Sequence, residues 1–355
     1  MKIALVTDTH FGARSDALAF DNFFRRFYSE FFFPEIQKRE IKTIMHLGDV
    51  FDRRKYINYN TLKSCKEYFF DKARSLGIDV HLIPGNHDTY FKNTNEVNSP
   101  ELLLREYDNV QIYPDVTELE FDKRKILFVP WICNENYQDT MEKIKSTDAL
   151  VCFGHFEFSG FQMYRGIAND HGMDTDPFSN FDLVCSGHYH HRSSDGNILY
   201  LGNPYEITWN DYDDPRGFNI YNTEDNLVEH LQNPFKIFHK FYYDDTSDSF
   251  RSDLDTFDYN IIANTCVKVI VVRKNDFVYF DSFIDRLYQC NLIELKIVED
   301  FSEFEDEAVG EIEVNPEDTL TLLNDYIDSI STELDTNRLK TVMRTLYVEA
   351  QNYGS

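Results

Sequence analysis

Val80-His81-Leu82-Ile83-Pro84-Gly85-Asn86-His87-Asp88 is the stretch whose reading decides the fold. A short apolar run breaks at a proline and a glycine, then delivers an amide, an imidazole and a carboxylate in consecutive positions. The same construction recurs on both sides of it. The run Ile3-Ala4-Leu5-Val6 leads into Asp8-Thr9-His10, and the run over 43–47 leads into Gly48-Asp49-Val50-Phe51-Asp52. Later runs over 150–153 and 183–185 lead into Gly154-His155 and Gly187-His188-Tyr189-His190. A further run over 126–129 carries no such tail. Between the first two runs, Phe20, Phe23, Phe24, Phe27 and Phe31 recur at helical spacing, a core-facing stripe. Strands alternating with helices predict an α/β fold around a central sheet.

Further along, the runs 198–201 and 217–221 extend the strand pattern, with turn signals at Gly202-Asn203-Pro204 and Asp214-Pro215-Arg216-Gly217. The polar stretch over 243–249 marks a boundary. Beyond it, a strand over 267–272, a helix over 280–289 and a strand over 292–298 supply a small α+β unit. Residues 301–314 are dense in acids and read as a linker. Asn315-Pro316-Glu317-Asp318 then offers an N-cap, a proline at the first helical position and acids in the first turn. The expected division is 1–242 for the main domain, 255–300 for a small capping domain, 301–314 for the linker and 315–352 for a helical pair.

The 355 residues exceed what one core usually serves, while 42% hydrophobic and 15% aromatic residues provide ample material for packing. No run is long enough to cross a bilayer, and Asp8 interrupts the N-terminal run too early for a signal peptide. The six cysteines are scattered without close pairs, as in reduced core positions of a cytoplasmic protein. A net charge of −27 opposes a solitary grip on nucleic acid, whose phosphates call for a basic face.

The polar residues that end the strands form a coherent chemical set. Open α/β sheets bind ligands beyond the carboxyl ends of their strands, so these loops can meet on one rim. In extended backbone, residues two apart share a side. Asp8 with His10, and His188 with His190, are therefore each expected to form a pincer, with His191 facing away. Glycines before Asp49, Asn86, His155 and His188 permit close backbone approach. Carboxylate, amide oxygen and imidazole together suit manganese, iron or zinc, and so many donors fit two ions sharing Asp49 better than one. His46 and His81, inside apolar strands, read as core or supporting groups, and His171, His230 and His239 lack any comparable context. Asp52 and Asp88 are expected either to orient ligand histidines or to cap the following helices. Arg53-Arg54-Lys55 is a candidate phosphate-contact patch, although a short basic cluster is more often plain surface.

The ordered series Asp8-x-His10, Gly48-Asp49-x-x-Asp52, Gly85-Asn86-His87-Asp88, Gly154-His155 and Gly187-His188-x-His190 resembles the calcineurin-like metallophosphoesterases. Within that family it is most similar to SbcD-type nuclease subunits of double-strand-break repair complexes, including the recombination endonuclease subunits of tailed phages. Val129-Pro130-Trp131 and Asp214-Pro215-Arg216-Gly217-Phe218 add to the likeness. The resemblance implies a metallophosphoesterase sandwich with a small α+β capping domain and a C-terminal helical pair. It also implies two divalent cations, Mn2+ before Mg2+: one held by Asp8, His10, Asp49 and His190, the other by Asp49, Asn86, His155 and His188. His87 would be the catalytic histidine. The implied partners are DNA, a second copy of the chain, and an SbcC-type coiled-coil ATPase gripped by the helices after Asn315.

Two other readings compete. A serine/threonine phosphatase or small phosphodiesterase of the same superfamily would share most of these motifs, but that phosphatase group ordinarily carries Glu where this chain has Asp88. A non-catalytic scaffold would have lost ligands, and none of the expected set is missing.

Overall fold

Strand β1 (Lys2–Val6) is apolar on both of its faces, and both are covered. In the computed structural model, which describes residues 1–246, 248–299 and Lys340, Ile3 and Leu5 join an interior cluster with residues of a second sheet. Ala4 and Val6 join a different cluster, dominated by helical aromatics. Alternation along the strand thus sends successive side chains to opposite faces. Strands buried on both faces read as unbroken apolar runs, which is why they are legible in the sequence.

The remaining strands, in chain order, are β2 (Thr43–His46), β3 (Asp79–Leu82), β4 (Val110–Ile112), β5 (Thr117–Phe121), β6 (Arg124–Val129), β7 (Val151–His155), β8 (Gln162–Tyr164), β9 (Ile167–Ala168), β10 (Leu183–Gly187), β11 (Ser193–Asp195), β12 (Ile198–Tyr200), β13 (Gly217–Asn222), β14 (Val228–Gln232), β15 (Phe238–Asp244), β16 (Cys266–Arg273) and β17 (Glu294–Val298). One six-stranded sheet runs β14-β13-β1-β2-β3-β4, and a second runs β11-β12-β10-β7-β6-β5. Parallel pairing of β1 with β2 and β2 with β3, and of β6 with β7 and β7 with β10, points the strand ends that carry the motifs the same way within each sheet. The two sheets pack face to face through Leu5, Met45, Leu47, Phe128, Phe153 and Cys185. Helices cover both outer faces, giving an α/β sandwich.

The phenylalanine stripe forms the helical run Leu18–Phe27, Tyr28–Phe32 and Phe33–Lys38, whose middle segment is a π turn. Phe20, Phe23, Phe24 and Phe27 are buried before the turn, and Phe32, Phe33 and Ile36 after it. The wider turn inserts the extra residue needed to keep the stripe on the sheet. Tyr205 stacks on Phe24 with centroids 4.0 Å apart and donates its hydroxyl to the Thr9 carbonyl at 2.6 Å. The helix layer therefore braces the backbone between Asp8 and His10.

β15, β16 and β17 form a separate three-stranded parallel sheet, covered by the helix Phe277–Tyr288 through Phe280, Phe283, Ile284 and Leu287. The expected division after 242 falls inside β15. Lys240 and Tyr242 interrupt that strand's apolar pattern, since one of its faces is only partly covered. Among the described residues no helix is long and apolar enough to cross a membrane. All six cysteines are free. The acidic stretch 301–314 and, apart from Lys340, the helical pair expected over 315–352 lie outside the described residues.

Candidate active site

Asp8, His10 and Asp49 have φ of 50°, 42° and 55°, and His188 has 88°. These are left-handed conformations that cost a residue with a Cβ about 1–2 kcal/mol each. The pincers expected from extended backbone are therefore not extended. The chain kinks immediately after β1, β2 and β10, and the kinks, not a strand's two-residue repeat, aim the side chains. His188 and His190 are accordingly split. His190 joins Asp8 and His10 in one cluster, and His188 joins Asp49 and His155 in another, with the ligand atoms of each cluster within 4.8 Å of one another. His191 does face away, with Nδ1 2.8 Å from Asp214 Oδ2.

Asp49 lies between the clusters. Its Oδ2 is 3.8 Å from His10 Nε2 and 3.4 Å from His155 Nε2, while Oδ1 accepts the His87 N–H at 2.8 Å. In the first cluster, His10 Nε2 is 3.0 Å from His190 Nε2 and 4.0 Å from Asp8 Oδ1. In the second, Asn86 Oδ1 stands 3.0 Å from both His155 Nε2 and His188 Nδ1. His155 is fixed from behind, its Nδ1 2.7 Å from the Leu47 carbonyl. This close assembly needs the glycines. A Cβ at Gly85 would sit 2.2 Å from Asp49 Oδ1, and one at Gly48, where φ is +95°, would sit 2.6 Å from His155 Nδ1.

Electrostatics bear on whether these groups fit divalent cations. Burial depresses the imidazoles of His10 and His188 well below their usual range and takes His190 down to about 4, with neighbouring histidines reinforcing the effect at each. These rings are consequently neutral at neutral pH, each with one ring nitrogen whose lone pair is free for ligation. Burial pushes the Asp8 carboxyl up to about 7, with the charge of Asp49 adding to it against the pull of His155. At Asp49 burial opposes the charge, but His155, His87 and His10 outweigh it and hold the group well below the usual carboxylate range. His155 is the exception among the histidines: burial lowers it, yet Asp49 outweighs burial and raises it to about 9. Ligation at His155 would release a proton. Buried carboxylates surrounded by unprotonated imidazoles and an amide oxygen form a donor set matched to borderline-hard divalent ions.

The supporting residues are distinct in their work. Asp52 Oδ1 is 3.5 Å from His10 Nδ1, and its main-chain carbonyl accepts from His87 Nδ1 at 2.6 Å. Asp52 thus lies beside a histidine of the first cluster without a hydrogen bond to its Nδ1 among the described residues. Asp88 does neither of the two things expected of it: its buried carboxylate receives the backbone N–H groups of Val50, Phe51 and Gly85. It ties the loops after β2 and β3 together. Burial, with Asp49 adding, lifts Asp88 to about 6. His46 supports rather than ligates, its Nε2 3.0 Å from Thr9 Oγ1, and His81 pairs with the Tyr113 hydroxyl at 2.8 Å. In the basic patch, Arg53 is engaged by Asp16 at 2.9 Å, whereas Arg54 keeps a buried Nη1 without a hydrogen-bond partner in the described residues. Lys55 is exposed.

Some participants escape a reading of motifs. Thr7 donates to Asp8 Oδ2 at 2.7 Å. The Trp131 ring lies 5.3 Å from that of His188 and 6.0 Å from that of His155, closing one side of the second cluster. Trp131 was visible only as part of Val129-Pro130-Trp131, with no residue-level sign of what it packs against.

A family model described as calcineurin-like phosphoesterase matches residues 1–192, the span holding every candidate ligand named above. The chain belongs to the calcineurin-like phosphoesterases. Exonuclease subunit 1 of Enterobacteria phage T4 is 33% identical over 357 aligned residues, covering 99% of each chain. Among solved structures, an archaeal phosphodiesterase matches with a TM-score of 0.33 and 16% identity over 65% of this chain and 99% of its own. A phosphatase from Mycoplasma pneumoniae matches with a TM-score of 0.35 and 11% identity over 66% of this chain and 95% of its own. Membership of the calcineurin-like phosphoesterases makes this a metal-dependent phosphoesterase with two candidate metal clusters.

Proposed function

We propose that this calcineurin-like phosphoesterase is a DNA nuclease subunit that hydrolyses phosphodiester bonds with two divalent cations, manganese in preference to magnesium. The near-full-length likeness to exonuclease subunit 1 of phage T4 carries the reading. The paired clusters support it. The first cation would be held by Asp8, His10, Asp49 and His190 and the second by Asp49, Asn86, His155 and His188, with Asp49 shared. When bound, the cations supply an activated water and Lewis acidity for in-line displacement at phosphorus.

The chain's own residues do the rest. His87 belongs to neither cluster. Its Nδ1 is engaged by the Asp52 carbonyl, which leaves Nε2 to serve the substrate. Burial lowers its pKa, but the Asp49 charge and the Asp52 carbonyl outweigh that and raise it. A protonated His87 can stabilise charge on the phosphoryl group or give its proton to the leaving 3′ oxygen. Of the basic patch, Arg54 is the residue best able to meet a phosphate, because Arg53 is already committed to Asp16. Trp131 and Asp88 keep the second cluster enclosed and the loops in register.

The remaining associations rest on the family likeness: a coiled-coil ATPase partner of the SbcC type gripped through 315–352, a homodimer, and action in the cytoplasm of a host cell during double-strand-break processing and recombination. The division we propose is a main domain over 1–242, a small capping domain over 255–300, a linker over 301–314 and a helical pair over 315–352, the end of the first segment lending β15 to the small domain's sheet. The deciding assay offers the purified chain plasmid and linear DNA with Mn2+, beside a phosphoprotein and nitrophenyl phosphate. Manganese-dependent DNA cleavage with little release of protein phosphate is expected. Dephosphorylation of the phosphoprotein without DNA cleavage would replace the reading with a phosphatase, and absence of turnover on every substrate, with metal bound, would replace it with a scaffold.

A further inference from the structure

Asp214-Pro215-Arg216-Gly217-Phe218 stands out in the sequence as a motif, yet neither metal cluster uses it. In the structure Arg216 is only 4% exposed, and its partners Asp211 and Asp214 are 0% and 6% exposed. Its Nη2 donates to Asp211 Oδ1 and to Asp214 Oδ2, each at 2.8 Å. Its Nη1 donates to the Asn203 side-chain oxygen and to the main-chain carbonyl of His190. Asp211 is itself fixed, its Oδ2 accepting the backbone N–H groups of Ile207 and Thr208 at 2.7 and 2.9 Å. Asp214 Oδ2 also meets His191 Nδ1 at 2.8 Å. One guanidinium thus gathers the loop carrying His190 and His191, the turn at Asn203 and the segment preceding β13.

A buried cation is costly unless it is paired, and here both Nη atoms are answered while Nε has no partner among the described residues; removing a partner from such a set leaves an uncompensated charge. A planar fork can satisfy two carboxylates and a carbonyl at once, which the point charge of lysine cannot. The consequence concerns geometry at His190, whose carbonyl is held on one side while its ring reaches His10 at 3.0 Å. His190 belongs to the first cluster alone. Partners of a metal-binding histidine's second ring nitrogen commonly matter about 10- to 100-fold in metal affinity; His190 Nδ1 has none among the described residues, so the grip on its carbonyl is the hold that orients it.

We propose that Arg216, braced by Asp211 and Asp214, is the positioning residue for His190 and thereby sets the affinity of the first metal site without affecting the second. The inference rests on the two-cation reading above. It predicts an asymmetry that a general packing role would not produce, because the second cluster draws its ligands from Asp49, Asn86, His155 and His188, none of which Arg216 touches.

The test titrates Mn2+ into the full-length wild type, Arg216→Lys and His190→Ala, counting bound ions by native mass spectrometry and recording electron paramagnetic resonance spectra. Arg216→Lys retains the positive charge and so spares the two aspartates from isolation, while losing the fork. Wild type is expected to bind two ions with an exchange-coupled spectrum. Both variants are expected to keep one ion at near wild-type affinity and to bind the other at least about tenfold more weakly, with a mononuclear signal at intermediate Mn2+. Two ions at wild-type affinity in Arg216→Lys would overturn the proposal. So would equal weakening of both ions, or misfolding of the lysine variant by circular dichroism, since either would mark a structural role. A wild type that binds a single ion would instead refute the two-cation reading itself.

Discussion

His87 is distinguished from its neighbours by what it does not touch. It lies in the loop that supplies Asn86, its backbone N–H binds Asp49, and its ring packs edge-on against His10 with centroids 4.9 Å apart, yet it joins neither ligand cluster. Removing it should spare the metals and damage the chemistry. His87→Ala is expected to lower turnover by about 10²–10⁴ while two ions remain bound, whereas Asp49→Ala should lose ions from both clusters, since its carboxylate faces each. Metal content measured beside turnover tells the two apart, and equal metal loss in both variants would contradict the assignment. At this scale the ligand types were legible because each follows an apolar run. Their sorting was not legible from spacing, which paired His188 with His190, and came only through the family likeness: the two separate at a kink of φ 88° that no spacing rule conveys.

Between residues and the whole, the connections among elements carry their own chemistry. Glu206, in the segment after the Gly202-Asn203-Pro204 turn, is 3% exposed and accepts the N–H groups of Ile237 and Phe238 at 2.7 and 3.0 Å. It clasps the start of β15 to the large domain. Burial raises its carboxyl from 4.5 to about 7, against the pull of those N–H groups. The folded chain therefore holds a proton that the unfolded chain has released. The contribution to stability is complete below pH 4.5 and is lost as pH climbs through about 7. Glu206→Gln keeps an acceptor for the N–H groups without a charge to bury. The variant should match wild type below about pH 4.5, pull ahead as pH rises toward about 7 and exceed it at pH 8 by an amount on the order of 1–3 kcal/mol, read from paired denaturation curves. A constant difference across pH would rule the mechanism out. Sequence alone could not single out Glu206, because a lone acid in a loop looks solvated until β15 is placed against it.

Across the whole molecule, acidity and assembly go together. A net charge of −27 repels DNA phosphates, so the isolated chain should bind DNA weakly and, on the proposed reading, gain affinity sharply when a coiled-coil ATPase of the SbcC type is added. Anisotropy of labelled DNA across a salt series measures both. Tight binding by the chain alone that collapses with salt would show a basic face that its composition argues against. The sandwich was readable at this scale because its central parallel strands are buried on both faces and stand out as apolar runs. β4, β5, β14 and β15 were not, as their partial exposure mixes polar residues into the pattern.

Local order along the chain was enough to determine the fold class, the enzyme family and a set of candidate metal-binding side chains, since strand patterning and strand-end chemistry are written in consecutive residues. Only tertiary structure decided how the backbone splits His188 from His190 between the two clusters, that Asp88 ties loops instead of orienting a histidine, and that Arg216 stands behind His190. Those outcomes depend on kinked backbone and on contacts between segments far apart in the chain, and neither leaves a periodic trace in the sequence.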